Sequence, residues 1–385
     1  VNQLFAAFDL FPSAKGAATH IAHTAQALAD ARGRLTLACL GTPEMPRWQE
    51  EGPFTLRRCA DLHPNFLRRT EGWGAFLSGL LDAAPSPPTL VHFRDVWSGL
   101  PLLRHPACAG AVTVFEVNAL PSVELPVHYP ALHRRPDFLS RLRAVEGACL
   151  AGADGIVTVS EVSRRWLVGR GVPSEKIAVI PNAAHLPASR PARAAGRRLV
   201  LYAGTLSPWQ GIETLLEATA LLSHRDDFEL LLAASSAKHA KPVRKAIARL
   251  GLSERVRIET ALERDRLAER FGAALFSVAP LARCDRNELQ GCSPLKIVES
   301  MAAGTAVVAS DLPVCRELLD RDRDGLLVSP GSPRALAAAM EALLDDPARA
   351  EALGRAGRTK VEARFGYPRY RDRLAEFVDG LQRRR

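Results

Sequence analysis

The sequence predicts two Rossmann-like α/β domains in tandem, and three observations predict them. At 385 residues the chain exceeds the size at which a single hydrophobic core stops growing, so two cores of roughly 190 residues each are expected. Short β-rich runs alternate with helical ones along both halves, the pattern of a parallel sheet covered by helices on both faces. A proline-rich stretch separates the two series.

In the first half the strand-like runs are QLFAAF (3–8), RLTLACL (34–40), LVHF (90–93), AVTVFE (111–116), GIVTVS (155–160) and IAVI (177–180). The segment from Pro181 to Arg198 carries three prolines and no apolar periodicity, and reads as an interdomain linker. LVLYAG (199–204), FELLLAAS (228–235), RVRIE (255–259), ALFSVAP (274–280), TAVVAS (305–310) and GLLV (325–328) follow. These are near-continuous apolar runs, as expected of strands buried on both faces. After Asp346 the chain reads as helix to its end, and AEFVDGLQ (375–382) has helical apolar spacing. The expected division is residues 1–185, residues 186–365 and a closing helix over 366–385.

Composition narrows the function. Hydrophobic residues at 47% and charged residues at 24% are those of a soluble globular chain and speak against disorder. No run approaches the roughly 18 apolar residues of a membrane span. VNQLFAAFDLF lacks the basic lead of a secretion signal and reads as a first strand, which predicts a cytoplasmic protein. Seven scattered cysteines without a CxxC pair predict neither a disulfide framework nor a zinc site. His20 and His23 stand one helical turn apart without a third ligand, so no metal is expected there. The net charge of +9 suits phosphorylated substrates, an anionic membrane surface or nucleic acid. Its arginines are spread along helices as a solvated surface would have them, and no basic run is interleaved with aromatics, so nucleic acid is not expected as a partner. Trp73, Phe76, Leu77, Leu80 and Leu81 have helical spacing, which fits a core-facing helix or one touching a membrane.

Ligands of open parallel sheets bind beyond the carboxyl ends of the strands. The most informative segment there is Gln290–Ser310. Ser293 is a good helix N-cap, Pro294 suits the first helical position and Gly304 closes the helix. A helix start at that edge presents free N–H groups to phosphate, and Gly291 lets the backbone come close. Leu295, Val298 and Ala302 form an apolar stripe that includes Glu299, so the acid faces inward and needs either a ligand or an internal partner. Lys296 is placed to reach a diphosphate or to stand in solvent. In Leu199–Ala218, Gly204 and Gly211 frame a loop at the same sheet edge. In the first half, Lys15 and Gly16 follow the first strand. Arg94, Asp95, Glu116 and Asn118 stand at strand ends facing the same cleft.

With both glycine-bearing segments in this order, the chain resembles the retaining glycosyltransferases of family 4. The resemblance extends to GADGIVTVSEVSRRWLVGRGVPSEKIAVIPNAA (152–184), SDLPVCRELLDRDRDGLLVSPGSPRALAAAMEALLDDP (310–347) and RFGYPRYRDRLAEFV (364–378). It is strong over residues 140–385 and loose before them. It implies the GT-B fold, two Rossmann-like domains facing each other across a cleft, with the last helix crossing back to the first domain. It also implies transfer of a sugar from a nucleoside-diphosphate sugar to a saccharide or lipid-linked acceptor, with retention and without cofactor or metal.

The donor would sit on the second domain, against Gly204, Thr205, Gln210, Gly291, Cys292, Ser293, Pro294, Leu295, Lys296 and Glu299. Gly16 and Lys15 would approach from the turn that the family places near donor phosphates and acceptor. Glu299 matches the second acid of the family's E-x7-E motif, which binds the donor ribose. The first acid is replaced by Gly291, and the loop arginine and lysine of many relatives read Thr205 and Gln210. Lys296 is then the substitute cation, with Glu288 or Asp285 standing in for the acid. Lys296, Glu116, Asn118 and Arg94 are the expected catalytic groups; Lys15, Arg94, Asp95 and Glu116 are expected at the acceptor. The leaving diphosphate would be stabilised by Lys296 and the helix start, and would itself take the acceptor's proton. Two other readings share the architecture: a nucleotide-sugar 2-epimerase, and an accessory subunit of weak catalytic power. Relatives in cell-surface polysaccharide and glycolipid synthesis would place the protein at the inner face of a membrane.

Overall fold

A computed structural model describes residues 3–60, 62–188 and 197–385, and within them the chain forms two parallel sheets. The first contains β1 (Gln3–Leu10), β2 (Leu35–Leu40), β3 (Trp48–Glu51), β4 (Phe54–Cys59), β5 (Leu90–Phe93), β6 (Val112–Val117), β7 (Gly155–Thr158) and β8 (Ile177–Val179). Their spatial order is β3-β4-β2-β1-β5-β6-β7-β8, parallel except for the β3/β4 hairpin. Phe5 of β1 stands in register with Leu37 of β2 on one side and His92 of β5 on the other. The second sheet contains β9 (Arg198–Gly204), β10 (Phe228–Ala234), β11 (Val256–Thr260), β12 (Phe276–Ala279), β13 (Ala306–Ser310) and β14 (Leu326–Val328), ordered β11-β10-β9-β12-β13-β14. That is the doubly wound order, which reverses direction between β9 and β12. In the first sheet the same reversal falls between β1 and β5.

The hairpin corrects the sequence reading, which contained neither of its strands. Trp48–Glu51 is a short, charged edge strand with Trp48 54% exposed, so it has no buried face to leave an apolar signal.

The first sheet is flanked by α1 (Gly16–Arg32), α2 (Phe66–Asp82), α3 (Val96–Arg104), α4 (Pro121–His128), α5 (Pro136–Gly152) and α6 (Glu161–Gly169). The second carries α7 (Ile212–Leu221), α8 (Ala240–Arg249), α9 (Arg264–Ala273), α10 (Leu295–Ala302), α11 (Pro313–Arg316), α12 (Pro333–Asp345) and α13 (Pro347–Arg364). On α2, Trp73, Leu77 and Leu81 are buried in the core, with Phe76 and Leu80 packed against it. The helix therefore faces inward, and its apolar stripe is not available to a membrane.

The chain ends in α14 (Tyr367–Arg383), which lies on the first domain. Tyr370, Leu374, Val378 and Leu381 join Phe5, Ile21 and Leu28 in one core. The crossing is anchored where Ala184 pairs with Gly366: Tyr367 N–H donates to Ala184 O at 3.1 Å. Of the linker read from Pro181 to Arg198, residues 189–196 lie outside the described residues.

The two domains touch through specific contacts along the cleft. The Glu317 carboxylate, just after α11, accepts from the backbone N–H groups of Glu161 and Val162, both at 2.9 Å, and so caps α6 from the other domain. The Asn182 side-chain amide donates to Ser293 O at 2.6 Å, and Leu120 N–H donates to Gln290 Oε1 at 2.8 Å.

Candidate active site

A cavity of about 270 Å³ opens at the switch point between β9 and β12. Its walls come from the loop after β9, the start of α10 and, across the cleft, Gly16 and Thr19 of α1. Gly211 seats one loop on the other. Its φ is +71°, and a Cβ there would lie 1.8 Å from Pro280 O, so no side chain fits without parting the two loops. Ala282 N–H also donates to Trp209 O at 3.0 Å.

Five polar groups of this cavity are left unsettled. The side-chain atoms Thr205 Oγ1, Trp209 Nε1 and Ser235 Oγ are buried without a hydrogen-bond partner. Buried donors and acceptors are rarely left so in proteins. Lys296 donates to Gln210 Oε1 and lies 4.3 Å above the Tyr202 ring, and burial pulls its ammonium down to about 7. On the next turn, burial pushes the Glu299 carboxyl up to about 7, against the pull of Arg264 and Lys296. Burial thus brings an ammonium and a carboxyl of one cavity close to pH 7, where a small change in their surroundings alters the charge of either.

Several expectations change here. Ser293 does not cap α10: the helix starts after Pro294 without a side-chain cap, because Ser293 Oγ accepts from Asn182 N–H at 3.2 Å. Leu295 and Glu299 face the cavity, while Val298 and Ala302 of the expected stripe are in the core together with Ile297 and Met301. Gly291 lies outside the cavity. Its φ is +83°, and a Cβ would come within 2.6 Å of Ser163 Oγ and 2.7 Å of Ser160 Oγ. It is one of the contacts between the two domains, and an acid there would meet α6 rather than a donor. Glu288 pairs with Arg283 at 3.1 Å, and neither it nor Asp285 lines the cavity. Gly16, Gly204, Thr205, Gln210, Cys292, Ser293, Pro294, Leu295, Lys296 and Glu299 all do.

Arg286 also lines this cavity, and the sequence reading passed over it. It sits on a single π-helical turn, Arg286–Gln290, with no periodicity to mark it. The one available signal was its position between β12 and α10, ten residues before Lys296. Thr19 and Ser235 were likewise missed, being small polar residues on a helix face and just past a strand.

A second cavity, of about 510 Å³, lies on the first-domain side and includes Lys15, Phe66, Asp95, Trp97, Glu124 and His128. The other first-domain expectations are corrected by saturation. Glu116 is fully buried and lines neither cavity. It bonds His20 at 2.7 Å, His92 at 3.1 Å and Thr24 at 3.2 Å, and accepts from Asn118. Burial pushes its carboxyl up, but the two histidines outweigh this and hold it well below the usual range. Arg94 donates to Ala17 O at 3.1 Å and stands 3.8 Å from Glu116. Arg94, Glu116 and Asn118 therefore brace α1 against β5 and β6 instead of facing substrate. Asp95 borders the second cavity, yet both its oxygens are committed, to Ser98 N–H and Phe8 N–H at 2.7 Å each.

Among the described residues no group of three or more His, Cys, Asp or Glu could hold a metal ion, and no helix is long and apolar enough to cross a membrane. The profile described as Glycosyltransferase Family 4 matches residues 14–186, and that described as Glycosyl transferases group 1 matches residues 197–346. The D-inositol 3-phosphate glycosyltransferase of Thermobispora bispora is 32% identical over 252 residues, 60% of this chain and 57% of that protein. The MMP alpha-(1->4)-mannosyltransferase of Mycolicibacterium hassiacum is 32% identical over 55% of this chain and 50% of its own. The chain thus spans a little over half the length of the curated relatives it matches. Among solved structures, sucrose-phosphate synthase of Thermosynechococcus elongatus superposes with a TM-score of 0.82 at 22% identity, covering 100% of both chains. The Anabaena protein HepE in complex with UDP and glucose superposes with a TM-score of 0.75 at 17% identity, over 98% of this chain and 99% of that one. These likenesses establish the GT-B fold.

Proposed function

Because the chain belongs to the glycosyltransferases of family 4, we propose that it moves a sugar from a nucleoside-diphosphate sugar to an acceptor hydroxyl, with retention of configuration. The donor is held at the switch point of the second domain and the acceptor in the cavity of the first. One observation carries this reading: in a single cavity, three buried polar atoms lack partners beside a lysine and an acid held near neutrality. A diphosphate would restore the charge of Lys296 and take the N–H groups at the start of α10. Ribose hydroxyls would give Glu299 the donors that its burial calls for. Charge growing on the leaving diphosphate would meet Lys296 and the helix dipole already in place. The acceptor's proton then passes to that phosphate, so no separate base is required, and no metal is invoked.

The relatives include a D-inositol 3-phosphate glycosyltransferase and a GDP-mannose-dependent phosphatidylinositol monomannoside mannosyltransferase. A saccharide or lipid-linked acceptor in glycolipid or polysaccharide synthesis agrees with them. Contact with an anionic membrane surface from the cytoplasmic side would rest on the net charge of +9, since α2 faces the core.

The deciding experiment is a thermal-shift screen against UDP, GDP, dTDP, ADP and CMP. A ligand of the folded state raises Tm by mass action, so one diphosphate is expected to stand out. The matching nucleotide sugar is then tested for turnover with and without saccharide and lipid-linked acceptors. Turnover that needs an acceptor supports transfer, whereas an epimerised free sugar without one assigns the 2-epimerase reading. If no nucleotide shifts Tm, the accessory-subunit reading replaces both.

A further inference from the structure

The family's two loop cations are absent, as Thr205 and Gln210, and Lys296 supplies one charge where a diphosphate carries at least two. Arg286 is the other cation on the wall of the donor cavity, and it belongs to a contact between the domains. Its Nε donates to Glu124 Oε1 at 2.7 Å, its Nη1 reaches Asn287 at 3.4 Å, and its Nη2 has no hydrogen bond among the described residues. The turn beneath it is fixed, since the Asn287 amide donates to Ala282 O at 2.8 Å and Trp209 O at 3.1 Å. The guanidinium lies 5.5 Å from the centre of the Trp209 ring, on the residue whose indole N–H is itself unpartnered. Glu124 comes from α4, lines the acceptor cavity and has other donors within reach, Gln290 Nε2 at 3.4 Å and His128 at 3.7 Å. It can release Arg286 without being stranded.

We propose that Arg286 is shared: it pairs with Glu124 when the donor cavity is empty and turns to the diphosphate when that cavity is filled. This rests on the reading of the cavity as a nucleoside-diphosphate site. It makes Glu124 a competitor for the guanidinium, so the carboxylate of one domain sets the affinity of the other for its ligand. Arginine suits the task because its planar fork can hold two oxygens of a phosphate at once.

The test is titration calorimetry with UDP and GDP against UMP and GMP, on wild type, Arg286→Ala and Glu124→Gln, with Tm recorded for each. Arg286→Ala is expected to weaken the diphosphate about 10–100-fold and the monophosphate less than about 3-fold, the size of a lost charge-assisted hydrogen bond. Glu124→Gln is expected to tighten the diphosphate several-fold, because the competing carboxylate is gone. A merely structural ion pair predicts the opposite sign or no change in Glu124→Gln, and either result overturns the sharing. If Arg286→Ala binds UDP and GDP as wild type does, Arg286 is not a diphosphate ligand although the donor reading stands. If wild type binds no nucleotide, the donor reading itself fails. Should Arg286→Ala lose its fold, the sign of the change in Glu124→Gln decides alone.

Discussion

The two walls of the cleft are built from the same kinds of residue and differ in what has been left over. On the first domain, Glu116, Arg94 and Asp95 satisfy one another and the backbone around them. On the second, Lys296 donates to Gln210, Glu299 stands one turn further along the helix, and Thr205, Trp209 and Ser235 carry buried side-chain atoms without a hydrogen-bond partner.

 The difference teaches that charged and polar residue types at strand ends are no guide to a binding site by themselves. What marks the site is that the unpartnered polar atoms of Thr205, Trp209 and Ser235 line one cavity beside Lys296 and Glu299, whereas the unpartnered ring nitrogens of His20 and His92 lie behind Glu116 and line neither cavity.

Substitutions on the two walls should therefore fail in different ways. The largest effect is expected from Glu116→Ala, which leaves His20 and His92 facing a void and removes the group that ties α1 to β5 and β6. Breaking a buried charged pair costs about 3–5 kcal/mol, so urea unfolding should shift strongly while the folded fraction binds nucleotide as wild type does. Unchanged stability with lost turnover would instead return Glu116 to the chemistry. On the other wall, Lys296→Ala should lower diphosphate affinity about 10–100-fold with no loss of Tm, since a lysine held near neutrality by burial adds little to the fold. A fall in Tm without a fall in affinity would make the two walls alike.

Gly291→Glu, which restores the acid usual in the family, sharpens the contrast. The new side chain meets Ser160 and Ser163, so a loss of about 1–3 kcal/mol from overpacking is expected, with no gain in donor affinity measured by calorimetry. A pH dependence is expected as well. The Glu299 carboxyl is raised from 4.5 to about 7, so between these values the native state holds a proton that the unfolded chain has lost, and stability falls as pH rises. Lys296 is lowered from 10.5 to about 7. Above about 7 the unfolded chain holds the extra proton, and stability rises with pH. Tm of the ligand-free protein should pass through a minimum near pH 7. Glu299→Gln should remove its acid limb, with no difference from wild type below about pH 4.5.

The fold was legible where burial is uniform. The strands of the second sheet other than the edge strand β11 read as apolar runs because helices cover both faces, and α14 announced itself by the spacing of Phe377, Val378 and Leu381. β3 was not legible, since an exposed edge strand has no buried side to impose a pattern; β4 does bury alternate residues, Phe54, Leu56 and Arg58, but the charged Arg58 among them broke the apolar signal. For the site, Gly204, Lys296 and Glu299 stood out because strand ends and a helix start constrain them locally. Glu116 misled for a reason that no local pattern reveals: its partners come from α1, β5 and the loop after β6, far apart in sequence and close only in the fold. Gly291 was read as a missing ligand, when its neighbours are two serines of the opposite domain. Arg286 was missed because its value lies in Glu124, 162 residues away.

The cap that Glu317 places on α6 has a mechanical meaning. The first turn of that helix is finished by a carboxylate from the other side of the cleft, so the lobes cannot swing apart there without baring two amide groups. Losing a helix cap costs about 1 kcal/mol, a factor of roughly five in population. That is a clasp rather than a weld: firm enough to set the resting posture of the lobes, and weak enough that thermal motion undoes it often.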